Sequence, residues 1–192
     1  MFKHLAAKKD ATVHGYLLSA IRGSTPSSFQ LAATSGPTVF VSFAGPIGSL
    51  KGTPVTDATK RIFPILVAHH YKRAMVLGTP SFTAPQDKAS VVRIKLIASS
   101  AYDEFKGLGE FVTPRDVSQL KWTLFGVPLL TNGSVVPVTA TYTGTDSDGM
   151  FLSRASLAAW ISDHISEDSD WAGKVTYTLR LRRVIGSCLS FP

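Results

Sequence analysis

The sequence predicts a β-rich α+β fold, an antiparallel β-sandwich (jelly-roll-like) with two or three short helices. Hydrophobic residues make up 44% of the 192 residues, so a core can form, whereas charged residues make up only 17%, against about 25% in a typical domain. Hydroxyl side chains take the place of charge, with 21 Ser and 18 Thr. Short β-branched and aromatic segments alternate with segments rich in Gly and Pro, which is typical of strands and turns.

The length fits one domain. We expect residues 25–192 to form a single β-rich domain and residues 1–24 a basic N-terminal arm. The longest apolar run, residues 62–68, is far shorter than the ~20 residues that span a bilayer, and no signal peptide is recognised. A soluble or peripheral protein is therefore expected, and the single Cys188 excludes an intramolecular disulfide framework.

The first half of the chain predicts one strand, one loop and one helix. Residues 38–43 are β-branched and aromatic and predict a strand. Residues 44–54 hold three Gly and two Pro and predict a surface loop. A helix is predicted at roughly residues 63–75, because Pro64 fits best in a first helical turn. The alternative is a helix that begins at Asp57 and is kinked at Pro64.

The middle of the chain predicts further strands. Residues 90–98 alternate in polarity and predict a strand with one apolar and one basic face. Thr113 and Pro114 resemble the N-cap and first residue of a helix, whereas residues 120–125 also fit a strand. Asn132-Gly133 predicts a hairpin between residues 129–131 and 135–142, and Pro137 predicts that its strand lies at a sheet edge or a bulge.

The C-terminal third predicts a helix followed by a strand. Ser153 is expected to cap a helix that continues to residue 165, with apolar residues spaced for one buried face. Residues 174–182 alternate most clearly, and predict a strand with a basic outer face.

Basic residues suggest an anionic partner. The net charge is +7, from 20 Lys and Arg against 13 Asp and Glu. The outer faces of the strands at 90–98 and 174–182 contain no carboxylate, which favours non-specific binding to phosphates, although a solvated face explains the same pattern. The residues predicted to bind nucleic acid on the two strands are Arg93, Lys95, Arg180, Arg182 and Arg183.

Two further groups extend this predicted surface. His69, Lys72 and Arg73 would share one face of the helix at 63–75, and Lys3, Lys8 and Lys9 would act from the arm. A solvated helix face is the alternative. No cofactor or metal is expected, because the histidines have no further ligands at suitable spacing.

The usual enzyme motifs for nucleophilic hydrolysis, phosphate loops, dinucleotide binding and zinc are missing from the sequence. We therefore expect no enzymatic activity and no small-molecule substrate.

The C-terminal third resembles a group of viral proteins. A capped helix from Ser153 to Ile165, a basic strand at 175–183 and a short tail at 187–192 are similar to small jelly-roll coat proteins of RNA viruses. The resemblance implies a virion protein that self-assembles into a capsid or shell, binds RNA non-specifically and occurs in the virion and the host cytoplasm. The alternatives are a peripheral matrix protein that binds acidic membrane and multimerises under an envelope, or a silencing suppressor that binds duplex RNA.

Overall fold

The computed structural model of the protein describes residues 38–45, 52–78, 99–142 and 151–180. These residues form seven strands and three helices. In chain order they are β1 (Val39–Ser42), α1 (Pro54–Ala68), β2 (Arg73–Gly78), α2 (Ser99–Val112), β3 (Lys121–Gly126), β4 (Leu129–Thr131), β5 (Val138–Thr141), β6 (Phe151–Ser153), α3 (Arg154–Asp163) and β7 (Lys174–Arg180).

A mostly parallel sheet forms the centre of the described fold. Its strand order is β1-β2-β3-β7-β5. The first three pairs are parallel, and only β5 runs antiparallel to its neighbour β7. Strands β4 and β6 form a separate parallel pair. The predicted antiparallel sandwich is therefore wrong.

Helices cover both faces of this sheet. Helices α1 and α2 connect β1 to β2 and β2 to β3, and right-handed crossovers place two such helices on the same face. One hydrophobic core lies beneath them and includes Phe63, Leu66, Phe105 and Leu108. A second core on the opposite face joins the sheet to α3, with side chains such as Met75, Phe125, Leu157, Trp160 and Ile161. The architecture is a three-layer α/β/α arrangement.

The threonines of β7 explain why the sequence pattern misled. Thr176 and Thr178 alternate with apolar residues on the predicted outer face of this strand, but they are 3% and 0% exposed. Their hydroxyls donate hydrogen bonds to the backbone oxygens of Thr141 and Gly126, at 3.1 and 2.9 Å. A hydroxyl that finds a backbone acceptor can be buried at little cost. The alternation of Thr with apolar residues therefore did not indicate a wet face.

Helix α1 is longer than predicted and lies earlier in the chain. It begins with Pro54 and continues through Pro64. Pro64 has no N–H, so the carbonyl oxygen of Lys60 lacks its helical hydrogen bond. Both residues are exposed, and water can donate a hydrogen bond to that oxygen. The helix predicted at 63–75 is thus wrong in its bounds, and a start near Asp57 is closer to the structure.

A tight turn ends α1 before residue 71. His70 has a φ of 57°, and its N–H donates to the oxygen of Val67 at 3.1 Å, while the N–H of Tyr71 donates to the oxygen of Leu66 at 2.9 Å. This is the Schellman arrangement, with His in the left-handed position that Gly usually takes. Because the chain turns here, Lys72 and Arg73 cannot belong to the helix.

Four predictions in the second half of the chain have mixed outcomes. Thr113 follows the end of α2 instead of starting a helix, and its hydroxyl donates to the oxygen of Gly109 at 3.0 Å. The alternative, a strand near 120–125, is confirmed as β3. The hairpin at Asn132-Gly133 is wrong, because β4 pairs with β6 and β5 pairs with β7. Pro137 does precede an edge strand of the described sheet.

The cap of α3 is confirmed. The side chain of Ser153 accepts a hydrogen bond from the N–H of Ser156 at 3.0 Å, and the helix ends at Asp163. The strand predicted at 90–98 and the arm at 1–24 lie outside the described residues.

Candidate functional site

Most residues of the predicted basic surface lie outside the part of the chain that the structure describes. These are Lys3, Lys8, Lys9, Arg93, Lys95, Arg182 and Arg183, together with the side chain of Arg180. Lys72 is exposed, in the turn before β2. Arg73 is the first residue of β2 and is fully buried. The predicted helical face of His69, Lys72 and Arg73 is therefore not formed.

Arg73 donates three hydrogen bonds to acceptors inside the fold. Its Nη1 donates to the oxygen of Lys121 at 2.9 Å, and its Nη2 donates to Thr123 Oγ1 at 2.6 Å and to the oxygen of His164 at 3.3 Å. The last of these acceptors lies at the C-terminal end of α3, where a cation complements the helix dipole. Burial lowers the pKa of Arg73 to about 10. This guanidinium joins β2, β3 and α3, and it is not available to a surface polyanion.

The carboxyl ends of the parallel strands form the best candidate for a functional site. Strands β1, β2 and β3 are parallel and adjacent, so they end at one edge of the sheet. In open α/β sheets, ligands bind in the crevice outside this edge, where the strand order reverses. Strands β1, β2 and β3 are neighbours in the sheet in the same order as in the chain. The shared carboxyl edge of β1, β2 and β3 is therefore the candidate site within the described residues.

Glycines occur at all three of these strand ends. Gly78 and Gly126 are the last residues of β2 and β3, and Gly45 lies three residues after β1. A Cβ at Gly78 would lie 3.2 Å from Leu124, so packing explains that glycine. A Cβ at Gly45 would meet only ordinary contacts at 3.7 to 3.8 Å. Packing does not require glycine at 45, which leaves room for close approach by a ligand.

Helix α2 contacts this edge through Phe105 and carries two chemically useful side chains next to it in the chain. Phe105, in the second turn of α2, lies beside Gly45, with Leu77 at the end of β2 also next to Gly45. Tyr102 and Lys106 flank this residue at positions i and i+4, which places them on one face of the helix. Tyr102 is partly buried, and Lys106 is 52% exposed and lies 3.7 Å from Glu110. We call Tyr102 and Lys106 the Tyr–Lys pair.

The Tyr–Lys pair can support proton transfer. A tyrosine hydroxyl can act as a general acid, and a nearby ammonium can stabilise negative charge that develops during a reaction. The sequence alone did not reveal this pair, because no helix is predicted from it at residues 99–112. The spacing Tyr-x-x-x-Lys was the available signal, but it has meaning only once the helix and the adjoining sheet edge are known.

An apolar surface lies beyond the end of β3. Strand β4 begins three residues after β3, and Leu129 and Phe151 are register partners in the β4–β6 pair. They are 62% and 56% exposed. A separate groove of about 270 Å³ lies between residues 135–138 and α3. The exposed pair offers an apolar wall near the carboxyl edge.

Comparisons with known proteins identify the fold. No protein-family model matches the sequence, and no curated protein matches it. Several solved structures match. Anaerobilin reductase ChuY from Escherichia coli O157:H7 has a TM-score of 0.61 and 14% identity, over 81% of this chain and 72% of that chain. A short-chain dehydrogenase/reductase from Veillonella parvula in complex with NADP has a TM-score of 0.60 and 13% identity, over 82% and 69%. Oxidoreductase ylbE from Lactococcus lactis has a TM-score of 0.63 and 16% identity, over 83% and 68%.

The fold is a Rossmann-like α/β fold. This finding overturns the resemblance to viral coat and matrix proteins, because the matching structures include an anaerobilin reductase and a short-chain dehydrogenase/reductase in complex with NADP. The associated predictions of a shell-forming protein with RNA as partner, no enzymatic activity and no small-molecule substrate are corrected with it.

The described residues suit the reacting end of a dinucleotide and not its pyrophosphate. Helix N-termini commonly hold phosphate groups, but the first turn of α1 is already capped by the Glu104 carboxylate, and that of α3 by Ser153. Neither helix therefore offers a free cradle for a pyrophosphate. The strand ends and the Tyr–Lys pair suit the reacting end of such a molecule. Within the described residues, no group of His, Cys, Asp and Glu could hold a metal ion, and no described helix has the length and apolarity to cross a membrane.

Proposed function

We propose that this protein is an NAD(P)-dependent reductase whose reacting site lies at the carboxyl edge of β1, β2 and β3. The observation that carries the proposal is the position of α2, which packs Phe105 beside Gly45 at that edge and carries Tyr102 and Lys106 on one helical face. The similar structures include reductases and a protein in complex with NADP, which supports this choice of cofactor.

Each residue of the pair has a distinct role in the proposed reaction. When bound, a nicotinamide cofactor would supply a hydride to the substrate. The Tyr102 hydroxyl donates the accompanying proton to the substrate oxygen, and Lys106 stabilises the negative charge that remains on the phenol oxygen. Substrate reduction is then complete with one hydride and one proton, and bulk water returns the proton to Tyr102.

The surroundings favour an apolar substrate. Leu129 and Phe151 are exposed next to each other beyond the end of β3. Ligand sites are lined mainly by apolar side chains with a few polar groups that fix orientation. A quinone or another conjugated carbonyl compound combines an apolar body with a reducible carbonyl group. We therefore choose menadione as the probe.

The first experiment measures cofactor binding. Titration of the purified protein with NADPH and NADH by calorimetry should show saturable binding to at least one of them. Failure to bind either at millimolar concentration would reject the proposed cofactor.

The second experiment measures turnover of NADPH with menadione by absorbance at 340 nm. We expect Tyr102→Phe to lower kcat by about 10²- to 10⁴-fold and Lys106→Met by about 10²-fold. The matched controls are Tyr142→Phe, which keeps the ring contact with Trp171, and Lys60→Met on the exposed side of α1. Equal turnover in Tyr102→Phe and Tyr142→Phe would remove Tyr102 from the reaction.

A further inference from the structure

Glu104 is a buried carboxylate in the middle of α2. It is 1% exposed, and it takes part in neither of the ion pairs found among the described residues. Its Oε1 accepts a hydrogen bond from the N–H of Thr56 at 2.6 Å, and its Oε2 accepts one from the N–H of Val55 at 3.2 Å. The Thr56 hydroxyl donates to the backbone oxygen of Glu104 at 2.8 Å. Three hydrogen bonds thus join α2 to the first turn of α1.

This contact replaces the usual cap of α1. The first N–H groups of a helix have no acceptor within the helix, and the side chain of the N-cap residue Thr53 makes no capping hydrogen bond. A carboxylate at this position is also favoured by the positive end of the helix dipole. Glu104 therefore supplies, from a residue 48 positions further along the chain, the acceptors that α1 lacks locally.

The same contact holds α2 against α1. Gly107, one turn after Glu104, brings α2 close to Thr56, since an added Cβ would lie 3.5 Å from its side chain. Further along, the rings of Phe63 and Phe111 meet edge to face, with centroids 5.7 Å apart. The capping contact is the polar and directional part of this interface, so it restricts rotation of α2 about its own axis.

Rotation of α2 determines where the Tyr–Lys pair points. Tyr102 and Lys106 are each two residues from Glu104, and so lie roughly 160° around the helix from it. A helix anchored on one side by Glu104 must present Tyr102 and Lys106 on the other.

We propose that Glu104 is a positioning residue, which caps α1 and thereby fixes the orientation of the Tyr–Lys pair at the carboxyl edge. The expected effect of Glu104 on catalysis rests on the proposed function. Its effect on the position of Tyr102 does not. Glu104 itself has no role in proton or hydride transfer.

The test compares Glu104→Gln and Glu104→Ala with a matched control, Asp103→Asn. Asp103 is the adjacent carboxylate and is exposed. The protein has five tyrosines, so labelling with 3-fluorotyrosine gives few ¹⁹F signals, and the Tyr102→Phe variant identifies that of Tyr102. We expect both Glu104 variants to shift the Tyr102 signal, while Asp103→Asn leaves it in place.

Small anions provide a rescue. Removal of the side chain in Glu104→Ala leaves space beside the positive end of α1, where formate can bind. Formate should return the Tyr102 signal of Glu104→Ala toward its wild-type position, whereas formamide should not. Formate should have no effect on Glu104→Gln, whose side chain still fills the space.

Turnover with menadione gives a second readout. Per folded molecule, kcat of the Glu104 variants should fall by about 10- to 100-fold, since small errors in placement are costly, with the Kd for NADPH within about twofold of wild type. Formate should restore kcat in Glu104→Ala.

Two results would overturn the proposal. One is loss of hydrogen-exchange protection at the amides of Val55 and Thr56 with no shift of the Tyr102 signal. The other is an equal shift of all the tyrosine signals, which would indicate general loosening. If wild-type protein binds no NADPH, the proposed function fails, and the ¹⁹F comparison still decides whether Glu104 positions Tyr102. Thr56→Val, which removes only one of the three hydrogen bonds, should give a smaller shift in the same direction.

Discussion

Replacement of Arg73 separates a buried structural role from a surface role. Arg73 donates hydrogen bonds to Lys121, Thr123 and His164 and is fully buried. In Arg73→Ala, these acceptors lose their donors and the stem of the side chain leaves a cavity. Replacement of an arginine that binds phosphate at the surface would leave the stability of the fold unchanged.

The expected loss follows from opposing contributions. Hydrogen bonds to a charged group contribute about 1.5 to 3 kcal/mol each, and the three bonds differ in length. Burial of the charge opposes them, because a pKa lowered from its usual value to about 10 corresponds to roughly 3 kcal/mol. With the cavity included, Arg73→Ala should lower the free energy of unfolding by about 3 to 5 kcal/mol.

Urea unfolding followed by tryptophan fluorescence measures this loss. Arg73→Met should cost less than Arg73→Ala, because Met fills most of the space and removes the buried charge. Lys72→Ala is the matched control, since Lys72 is exposed, and it should change stability by less than about 0.5 kcal/mol. A loss in Arg73→Ala no larger than that of the control would refute the assigned environment.

The lowered pKa also sets a pH dependence. The folded state binds the proton of Arg73 less tightly than the unfolded state, so the contribution of this group to stability rises with pH above about 10. The penalty for burying the charge is present in full at neutral pH. Relative to Arg73→Met, wild-type protein should therefore gain about 1 kcal/mol between pH 7 and pH 10.5. A difference that stays constant over this range would contradict the desolvation of Arg73.

Three further predictions test the packing that supports the site. Leu108→Ala should cost about 2 to 5 kcal/mol in thermal or urea unfolding, because Leu108 is fully buried, whereas Leu129→Ala at an exposed position should cost little. Ser153→Ala should cost about 1 to 2 kcal/mol, since it removes the α3 cap and the bonds to Ser134 and Ser156; an unchanged midpoint would contradict the capping role. Gly78→Ala should destabilise the protein by about 1 to 3 kcal/mol through a 3.2 Å contact, while Gly45→Ala should leave the unfolding midpoint near that of wild type.

Local signals in the sequence located several elements correctly. The strands near residues 38–43 and 120–125 and the strand beginning at residue 174 correspond to β1, β3 and β7. The cap at Ser153 was also recognised. These features depend on residues close together in the chain, such as a hydroxyl three positions before an unsatisfied N–H or a run of β-branched side chains.

The candidate site could not be obtained in this way. Nothing within residues 99–112 shows that Tyr102 lies beside the carboxyl ends of strands that come from other parts of the chain. The role of Glu104 likewise depends on Thr56, 48 positions earlier. Both arrangements require the order and direction of the strands, which set where each connecting helix begins and ends.

The amino-acid sequence by itself indicated β1, β3, β7 and the start of α3, because these depend on neighbouring residues and on the spacing of apolar side chains, but it did not indicate α2 or β2. Only the tertiary structure decided which strands pair, in which direction, and which faces are covered. A strand has the same local pattern of donors and acceptors whether its neighbour is parallel or antiparallel. The buried threonines of β7 and the buried guanidinium of Arg73 show the consequence, since a polar residue can lie inside wherever distant backbone oxygens accept its hydrogen bonds.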